Sequence, residues 1–259
     1  MDSVNKTLFI PLYGKALVSK KGIILQDKKA ESIWEYQKFP LKRKAKSKWL
    51  AYYMGMRAAV FDKWLKEKVE NFGDCVVLHL GCGLDSRIKR VKTKHVWYDV
   101  DMPTVIATRK RYYRETDHYH MLGADLSKPT FIDKLPKTNR AIVVLEGVGM
   151  YLTNDELNNL LGQLNKYFPH LSVLVDCYTP FAVKMTKLKN PIKEVGASKV
   201  YGIDSANVLE KADISFVKEH DITPLYLIEQ LKGLERSIFK KLYAGKMSKK
   251  LYKLYEYRS

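Results

Sequence analysis

The chain has 259 residues, 46% of them hydrophobic, and a formal charge of +18 from 46 Lys and Arg against 28 Asp and Glu. That length suits one large α/β domain or a core with an attached cap, and that apolar content excludes wholesale disorder. No apolar run approaches the ~18 residues of a membrane span, the 3 scattered cysteines make no disulfide framework, and Met1–Lys6 lacks the layout of a secretory signal, so a cytoplasmic protein with no membrane partner is expected.

Residues 1–73 read as a basic helical cap. Ala30–Tyr36 is a short helix, and Lys48–Val69 a long one in which Tyr52, Met56, Ala59, Val60, Lys63 and Trp64 recur at helical spacing. Asn71-Phe72-Gly73-Asp74 stops it, with Gly73 as the C-terminal cap. A core then spans 74–178. Cys75–Leu80 is a continuous apolar run with β-branched residues, as in a central parallel strand. Val96–Val100 is a second strand, and Met102–Arg114 a helix with Pro103 in its first turn, where the missing N–H costs nothing. Tyr119–Leu122 and Ala141–Leu145 are the third and fourth strands. Asn154–Tyr167 is a helix capped by Thr153 with Glu156 three residues on, and Leu171–Asp176 is the fifth strand. Such alternation predicts a parallel sheet with ligands at the carboxyl ends of its strands.

The alternation lapses after Tyr178, and 179–203 reads as a lid or substrate insertion with no assigned element. Residues 204–259 complete the core: a short helix over Asp204–Lys211, a strand over Ile214–Val217, a helix over Pro224–Lys241, and a half-buried strand over Leu251–Tyr257. The last two strands can close the sheet in antiparallel fashion.

The first strand runs into Gly81-Cys82-Gly83. Glycines at this turn let the backbone approach a ligand closely. A dinucleotide fingerprint needs a third glycine where Ser86 stands, so a looser turn fitting the zwitterionic methionine end of S-adenosylmethionine is preferred. About 20 residues on, Asp99 or Asp101 can take both ribose hydroxyls. Asp101 is preferred because it lies nearer the ligand edge, although it could instead cap the next helix. Asp125, ending the third strand, can accept from the adenine amino group while Leu126 covers the ring; the alternative is a turn aspartate. Glu146 ends a buried strand and needs a partner, either the cofactor's ammonium or ribose, or an internal Arg57 or Arg87. Cys82 reads as a packing residue. Tyr151 can orient the acceptor or simply pack. The histidines include one close pair, His118 and His120, on a strand, and no metal site is expected.

Leu80–Arg87, Trp97–Pro103 and Glu146–Leu152 resemble, in order, the three signatures of the leucine carboxyl methyltransferase family, and Arg57 with Phe61-Asp62 is similar to its R-x-x-x-F-D element. The family includes the enzyme that esterifies the C-terminal leucine of a protein phosphatase catalytic subunit, and bacterial carboxyl methyltransferases of polyketide pathways. The resemblance runs from about Leu12 to Tyr257. It implies a class I methyltransferase (Rossmann-like) α/β fold, mostly parallel with an antiparallel closing strand, under an N-terminal helical cap. It also implies cofactor contacts at Arg57, Gly81, Asp101, Asp125, Leu126 and Glu146, with Gly83 beside them, and places Arg57 on the cofactor's carboxylate. Gly149 departs from the bulkier aliphatic residue of many members, so the acceptor side of the pocket is expected to differ.

A carboxylate acceptor is already ionised at pH 7, its ordinary pKa being about 4. Methyl transfer to it needs alignment and desolvation rather than a general base. The expected partner is a carboxylate-bearing small molecule, or a peptide or protein C-terminus, with Arg87, Arg90 or a cap lysine gripping the anion. The charge raises a rival reading, a nucleic-acid methyltransferase. Against it, the lysines are spread over the whole chain, the fourth strand lacks the Asn/Asp-Pro-Pro-aromatic loop of base-amine methylases, and the basic clusters at 42–48, 109–111 and 246–253 carry no RNA-binding pattern. A non-catalytic cofactor-binding regulator is the second alternative.

Overall fold

The apolar runs assemble into one seven-stranded sheet of order β3-β2-β1-β4-β5-β7-β6. The structure is a computed structural model that describes residues 8–37, 41, 45–188 and 199–259. Strands β1 (Val76–Leu80), β2 (Val96–Asp101), β3 (Tyr119–Gly123), β4 (Arg140–Leu145) and β5 (His170–Tyr178) are parallel. Strand β7 (Tyr252–Arg258) runs antiparallel between β5 and β6 (Ser215–Glu219) and closes the sheet. This is the class I methyltransferase arrangement. The strand order reverses between β1 and its neighbours β2 and β4, which opens a crevice at their carboxyl ends.

Alternate residues of each strand feed two cores, one on each face. Val77, Trp97, Ile142, Val144 and Leu174 pack with the N-terminal helices α1 (Phe9–Lys20), α2 (Lys28–Gln37) and α3 (Lys48–Asn71). Val76, Leu78, Val143 and Val175 pack with α6 (Asn154–Tyr167) and the 3₁₀ turn Ala206–Ala212. Two short helices, α4 (Arg87–Arg90) and α5 (Pro103–Arg109), join the first of these cores through Ile88 and Ile106. Thr153 and Glu156 form the reciprocal capping box at the start of α6. Gly73, at φ +74°, follows the end of α3.

Several boundaries differ from the sequence expectation. Helix α1 fell in no assigned element. Helix α5 stops at Arg109, not Arg114, because the buried Arg109 side chain is pinned to Asp99 while the backbone tightens into Arg111 N→Thr108 O and Tyr112 N→Arg109 O turns. The segment 224–241 is not one helix. It breaks at buried Leu231 and Gly233 (φ +52°) into α8 (Leu225–Ile228) and α9 (Gly233–Tyr243), followed by α10 (Lys246–Lys249). In the segment read as a lid, Pro180–Leu188 forms α7, and residues 189–198 lie outside the described residues. The basic cluster at 42–48 lies partly outside them as well.

Candidate active site

The carboxyl ends of β1 to β4 open into a cavity of about 690 Å³, whose other wall comes from α1, α3 and the end of β7. Arg57, Gly81, Gly83, Asp101, Asp125, Leu126, Glu146 and Tyr151 all line it.

The glycine turn after β1 is pressed against the loop after β4. Gly81 sits at φ +67°, and a Cβ there would fall 1.9 Å from Val148 Cγ2, so only glycine fits. Its N–H donates to the Val100 carbonyl at 2.7 Å, tying the turn to β2. Gly83 N–H donates to Asp101 Oδ2 at 2.8 Å, and Met102 N–H to Asp101 Oδ1 at 2.7 Å. Met102, not Asp101, is the N-cap of α5. Burial raises the Asp101 carboxyl to about 6 against the pull of these two N–H donors.

The other candidate for the ribose, Asp99, is fully buried and does not line the cavity. It accepts from Trp97 Nε1 at 2.9 Å, His79 Nδ1 at 3.0 Å, Tyr119 and Arg109. Burial works to raise its pKa, but Arg109 and the donors outweigh that and hold it at about 2. Arg87 Nη1 lies 3.1 Å from His79 Nε2 and can only donate. Nε2 is therefore the acceptor, and the ring proton sits on Nδ1, facing Asp99. Burial, with Arg87 alongside, lowers the His79 pKa and keeps the ring neutral.

On the opposite wall, Arg57 reaches out of α3 into a carboxylate clamp. Its Nε donates to Glu146 Oε1 at 3.1 Å, and its Nη1 donates to the Tyr252 hydroxyl at 2.8 Å and lies 3.2 Å from Asp176 Oδ2. Tyr252 passes its own proton to Asp176 Oδ2 at 2.7 Å, and Gly147 N–H donates to Asp176 Oδ1 at 2.7 Å. Glu146 also pairs with Arg87. Both arginines foreseen as partners of Glu146 thus bind it. Burial would raise the Glu146 carboxyl, but Arg87 and Arg57 prevail and hold it at about 2. At Asp176 burial prevails over Arg57 and raises the carboxyl to about 6. Arg57 Nη2 makes no hydrogen bond among the described residues, which leaves one edge of the guanidinium available to a ligand anion.

Asp125 Oδ1 accepts from Ser127 N–H at 3.0 Å and its hydroxyl at 2.8 Å, so it makes the turn contact considered as its alternative while still facing the cavity. Leu126 beside it is buried. Tyr151 stands 38% exposed at the cavity wall. Burial pushes the Cys82 thiol well up, which suits packing rather than nucleophilic chemistry.

Two expectations are corrected. Arg87 and Arg90 do not line the cavity and cannot grip a substrate there. Arg87 donates to Asp62 at 2.8 Å, and Arg90 pairs with Asp62, Asp27 and Asp85, so both are consumed inside a buried ion network. Gly149 is not a pocket residue either. A Cβ there would lie 2.4 Å from the Asp176 carbonyl, so its lack of a side chain allows the turn to press on β5 and does not reshape the acceptor side. Sequence reasoning missed Lys15, buried on α1 and 3.2 Å from Asp85, and the pair Asp176 and Tyr252. Asp176 carries the signal that found Glu146, a carboxylate closing a buried strand.

The sequence matches the leucine carboxyl methyltransferase family over residues 2–165. It is 30% identical over 213 residues to the tetracenomycin polyketide synthesis O-methyltransferase TcmP of Streptomyces glaucescens, covering 81% of this chain and 79% of that one. It is 27% identical over 187 residues to the S-adenosyl-L-methionine-dependent methyltransferase dpfgK of Gibberella zeae, with 65% and 62% covered. Among solved structures it is similar to a Thermobifida fusca protein classed as a methyltransferase, at a TM-score of 0.62 and 12% identity over 95% of this chain and 94% of the other. It is also similar to the magnesium protoporphyrin IX methyltransferase of Synechocystis with bound S-adenosylhomocysteine, at a TM-score of 0.51 and 13% identity over 98% and 99%. These two likenesses are likenesses of fold.

Proposed function

The chain belongs to the leucine carboxyl methyltransferase family and is an S-adenosylmethionine-dependent methyltransferase, and from that premise we propose that its acceptor is the carboxylate of a small apolar acid. The observation that carries this reading is the make-up of the cavity wall. Leu12, Leu50, Met54, Met150, Tyr151 and Tyr178 line it, and the carboxylates that share its wall, Asp85, Asp101, Asp125, Glu146 and Glu156, each already accept a hydrogen bond within the protein. Burial pushes the Tyr178 and Tyr252 hydroxyls up, so both keep their protons. Glu156 is held in the capping box of α6, and neutral His79 is held between Arg87 and Asp99. A phenol or amine acceptor has to lose a proton; a carboxylate has none to lose. The polyketide O-methyltransferase among the relatives supports an oxygen acceptor on a small molecule.

The residues fit the cofactor. In the proposed arrangement the open edge of Arg57 takes the methionine carboxylate, Glu146 faces the ammonium, and the Gly81–Gly83 backbone lies against the methionine chain. Asp101 takes the ribose hydroxyls, Asp125 the adenine amino group, and Leu126 covers the ring. When bound, S-adenosylmethionine supplies a sulfonium methyl group open to in-line displacement by a carboxylate oxygen. The chain's own contribution is to exclude water with the apolar wall and to hold the acceptor in line, with Tyr151 as the orienting hydroxyl.

The test of acceptor chemistry is transfer of labelled methyl into a host extract and a panel of apolar carboxylic acids. The expected product is a small-molecule methyl ester that loses its label in mild alkali. Label that survives alkali, label in an RNA fraction, or cofactor binding with no turnover on any acceptor would overturn the reading.

Asp101 gives the cofactor site a pH dependence. The ionised carboxylate accepts both ribose hydroxyls, so affinity should fall about tenfold per unit as the pH drops below about 6. The fold responds with the opposite sign. A carboxyl raised above its unfolded value contributes stability that is full below about 4 and is lost as the pH rises through 6. Calorimetric titration with S-adenosylhomocysteine across this range, beside thermal melts of the free protein, separates the two. Affinity flat through pH 6 would remove Asp101 from the ribose.

A further inference from the structure

Helix α9 has one face in the protein and a second, apolar face that no described residue covers. Glu235, Phe239 and Tyr243 point inward, where Phe239 and Tyr243 stack on each other, Tyr243 stacks on Trp49, and Glu235 accepts from the Tyr52 hydroxyl at 2.6 Å. One residue earlier in each turn stand Leu234, Ile238 and Leu242, which are 80%, 39% and 63% exposed. Their i, i+4, i+8 spacing lines them along the helix beside the packed face. Helix α8, which packs against α9, exposes Leu225 and Tyr226 as well.

The stripe lies in a strongly basic part of the chain. Residues 232–253 hold 8 Lys and Arg against one carboxylate, Glu235. That carboxylate is paired with Lys48 at 2.8 Å. Lys232, Arg236, Lys240, Lys241, Lys246 and Lys250 are exposed and make no ion pair among the described residues. The active site uses none of them.

We infer that α9 and α10 form a docking surface for an anionic lipid bilayer, with the Leu234–Ile238–Leu242 stripe seated at the headgroup–acyl boundary and the lysines on the phosphates. Charge complementarity decides the occupant. A second copy of the chain would bring two such basic segments together, and the whole chain, at +18, repels its own kind. An anionic surface attracts each basic residue near it by roughly a factor of five and accepts aliphatic side chains lying flat in its plane. Nucleic acid would satisfy the lysines but offers little to an aliphatic stripe. The contact is peripheral, since no helix among the described residues is long and apolar enough to cross a membrane. The inference does not depend on what the acceptor is.

The experiment is flotation of the full chain with phosphatidylcholine vesicles and with vesicles containing phosphatidylglycerol, at low and physiological salt. Binding is expected on the phosphatidylglycerol vesicles alone, weakening with salt. The triple variant Leu234→Ser, Ile238→Ser, Leu242→Ser keeps every charge and should lose more than about tenfold in partitioning, while cofactor affinity stays at the parent value because these side chains are exposed and line no part of the cavity. Lys240→Glu with Lys241→Glu should lose binding to a similar degree. No flotation of the parent at low salt overturns the inference. So does a triple variant that floats as well as the parent, which would mean loose adsorption by charge alone. Concentration-dependent dimerisation or RNA binding that the triple variant abolishes would overturn it too, by assigning the stripe to another occupant.

Discussion

Arg57→Ala is expected to weaken S-adenosylmethionine binding by more than about 100-fold and to destabilise the fold by about 3–5 kcal/mol. Both effects come from one side chain because Arg57 sits between two buried carboxylates and the cavity. Its Nε and Nη1 hold Glu146 and Asp176, and its Nη2 edge is the donor assigned to the methionine carboxylate. Removing it leaves two acids facing each other in a buried site with Arg87 as the remaining guanidinium on Glu146. Asp176, already raised to about 6, should then be protonated at neutral pH. Arg57→Lys separates the roles. An ammonium restores part of the charge balance, and so part of the stability, but cannot form the planar fork that spans Glu146, Tyr252 and a ligand. Urea unfolding and calorimetric titration of both variants read the two effects independently. An Arg57→Ala protein that binds the cofactor like the parent would refute the placement.

The second large expected effect is a contrast between two aspartates two residues apart. Asp99→Ala should cost about 3–5 kcal/mol, since it strands Arg109, a fully buried guanidinium, and removes the acceptor of Trp97, His79 and Tyr119. Asp101→Ala removes only two backbone N–H partners, those of Gly83 and Met102, and also removes a carboxylate whose ionised form burial disfavours. Those terms oppose each other, so its stability should change by less than about 1.5 kcal/mol. Its cofactor affinity, however, should fall by more than about 30-fold, as expected for losing a charged acceptor to two hydroxyls. Chemical denaturation and cofactor titration of the two variants give opposite rankings if the assignment is right. Equal loss of stability would show that Asp101 is a structural residue like Asp99.

The parts of this fold that could be read in the sequence are those whose signal is local. The run from Cys75 to Leu80 is apolar on both faces, His79 apart, because β1 is central in the sheet and a core covers it on each side. Pro103 and the Thr153–Glu156 box mark helix starts because their chemistry acts within one turn. The glycine turn, Asp101, Asp125 and Glu146 come to one cavity because each follows a parallel strand, and parallel strands end on one side. Helix α1 gave no such signal. Its N-cap Leu8 makes no side-chain cap bond, and residues on several sides of it are buried, including Gly14, Lys15 and Ser19, which blurs the period. Lys15 was lost with it.

What stayed hidden is the choice of partner. Asp62 and Asp85 stand inside family signatures with no partner assigned to them, and Asp27 carries no signal of its own, yet they bind Arg87 and Arg90 and withdraw both from the substrate. Asp99 and Asp101 point to the same side of β2, and only the approach of Arg109 from α5 and Tyr119 from β3 turns one into a structural anchor. Tyr252 lies close to the C-terminus, and the alternation of its strand predicts burial but not that its hydroxyl bridges Arg57 and Asp176. The break in α8–α9 was overlooked because one glycine inside an amphipathic pattern is also compatible with a continuous helix.

A crystal structure with S-adenosylhomocysteine tests the placement of the cofactor most directly. The predicted result is one molecule in the cavity at the ends of β1 to β4, its carboxylate on the open edge of Arg57, its ribose hydroxyls on Asp101, and its sulfur facing the space lined by Met150, Tyr151 and Tyr178. A ligand whose ribose lies away from Asp101, or whose carboxylate is held by lysines with Arg57 untouched, would contradict the account.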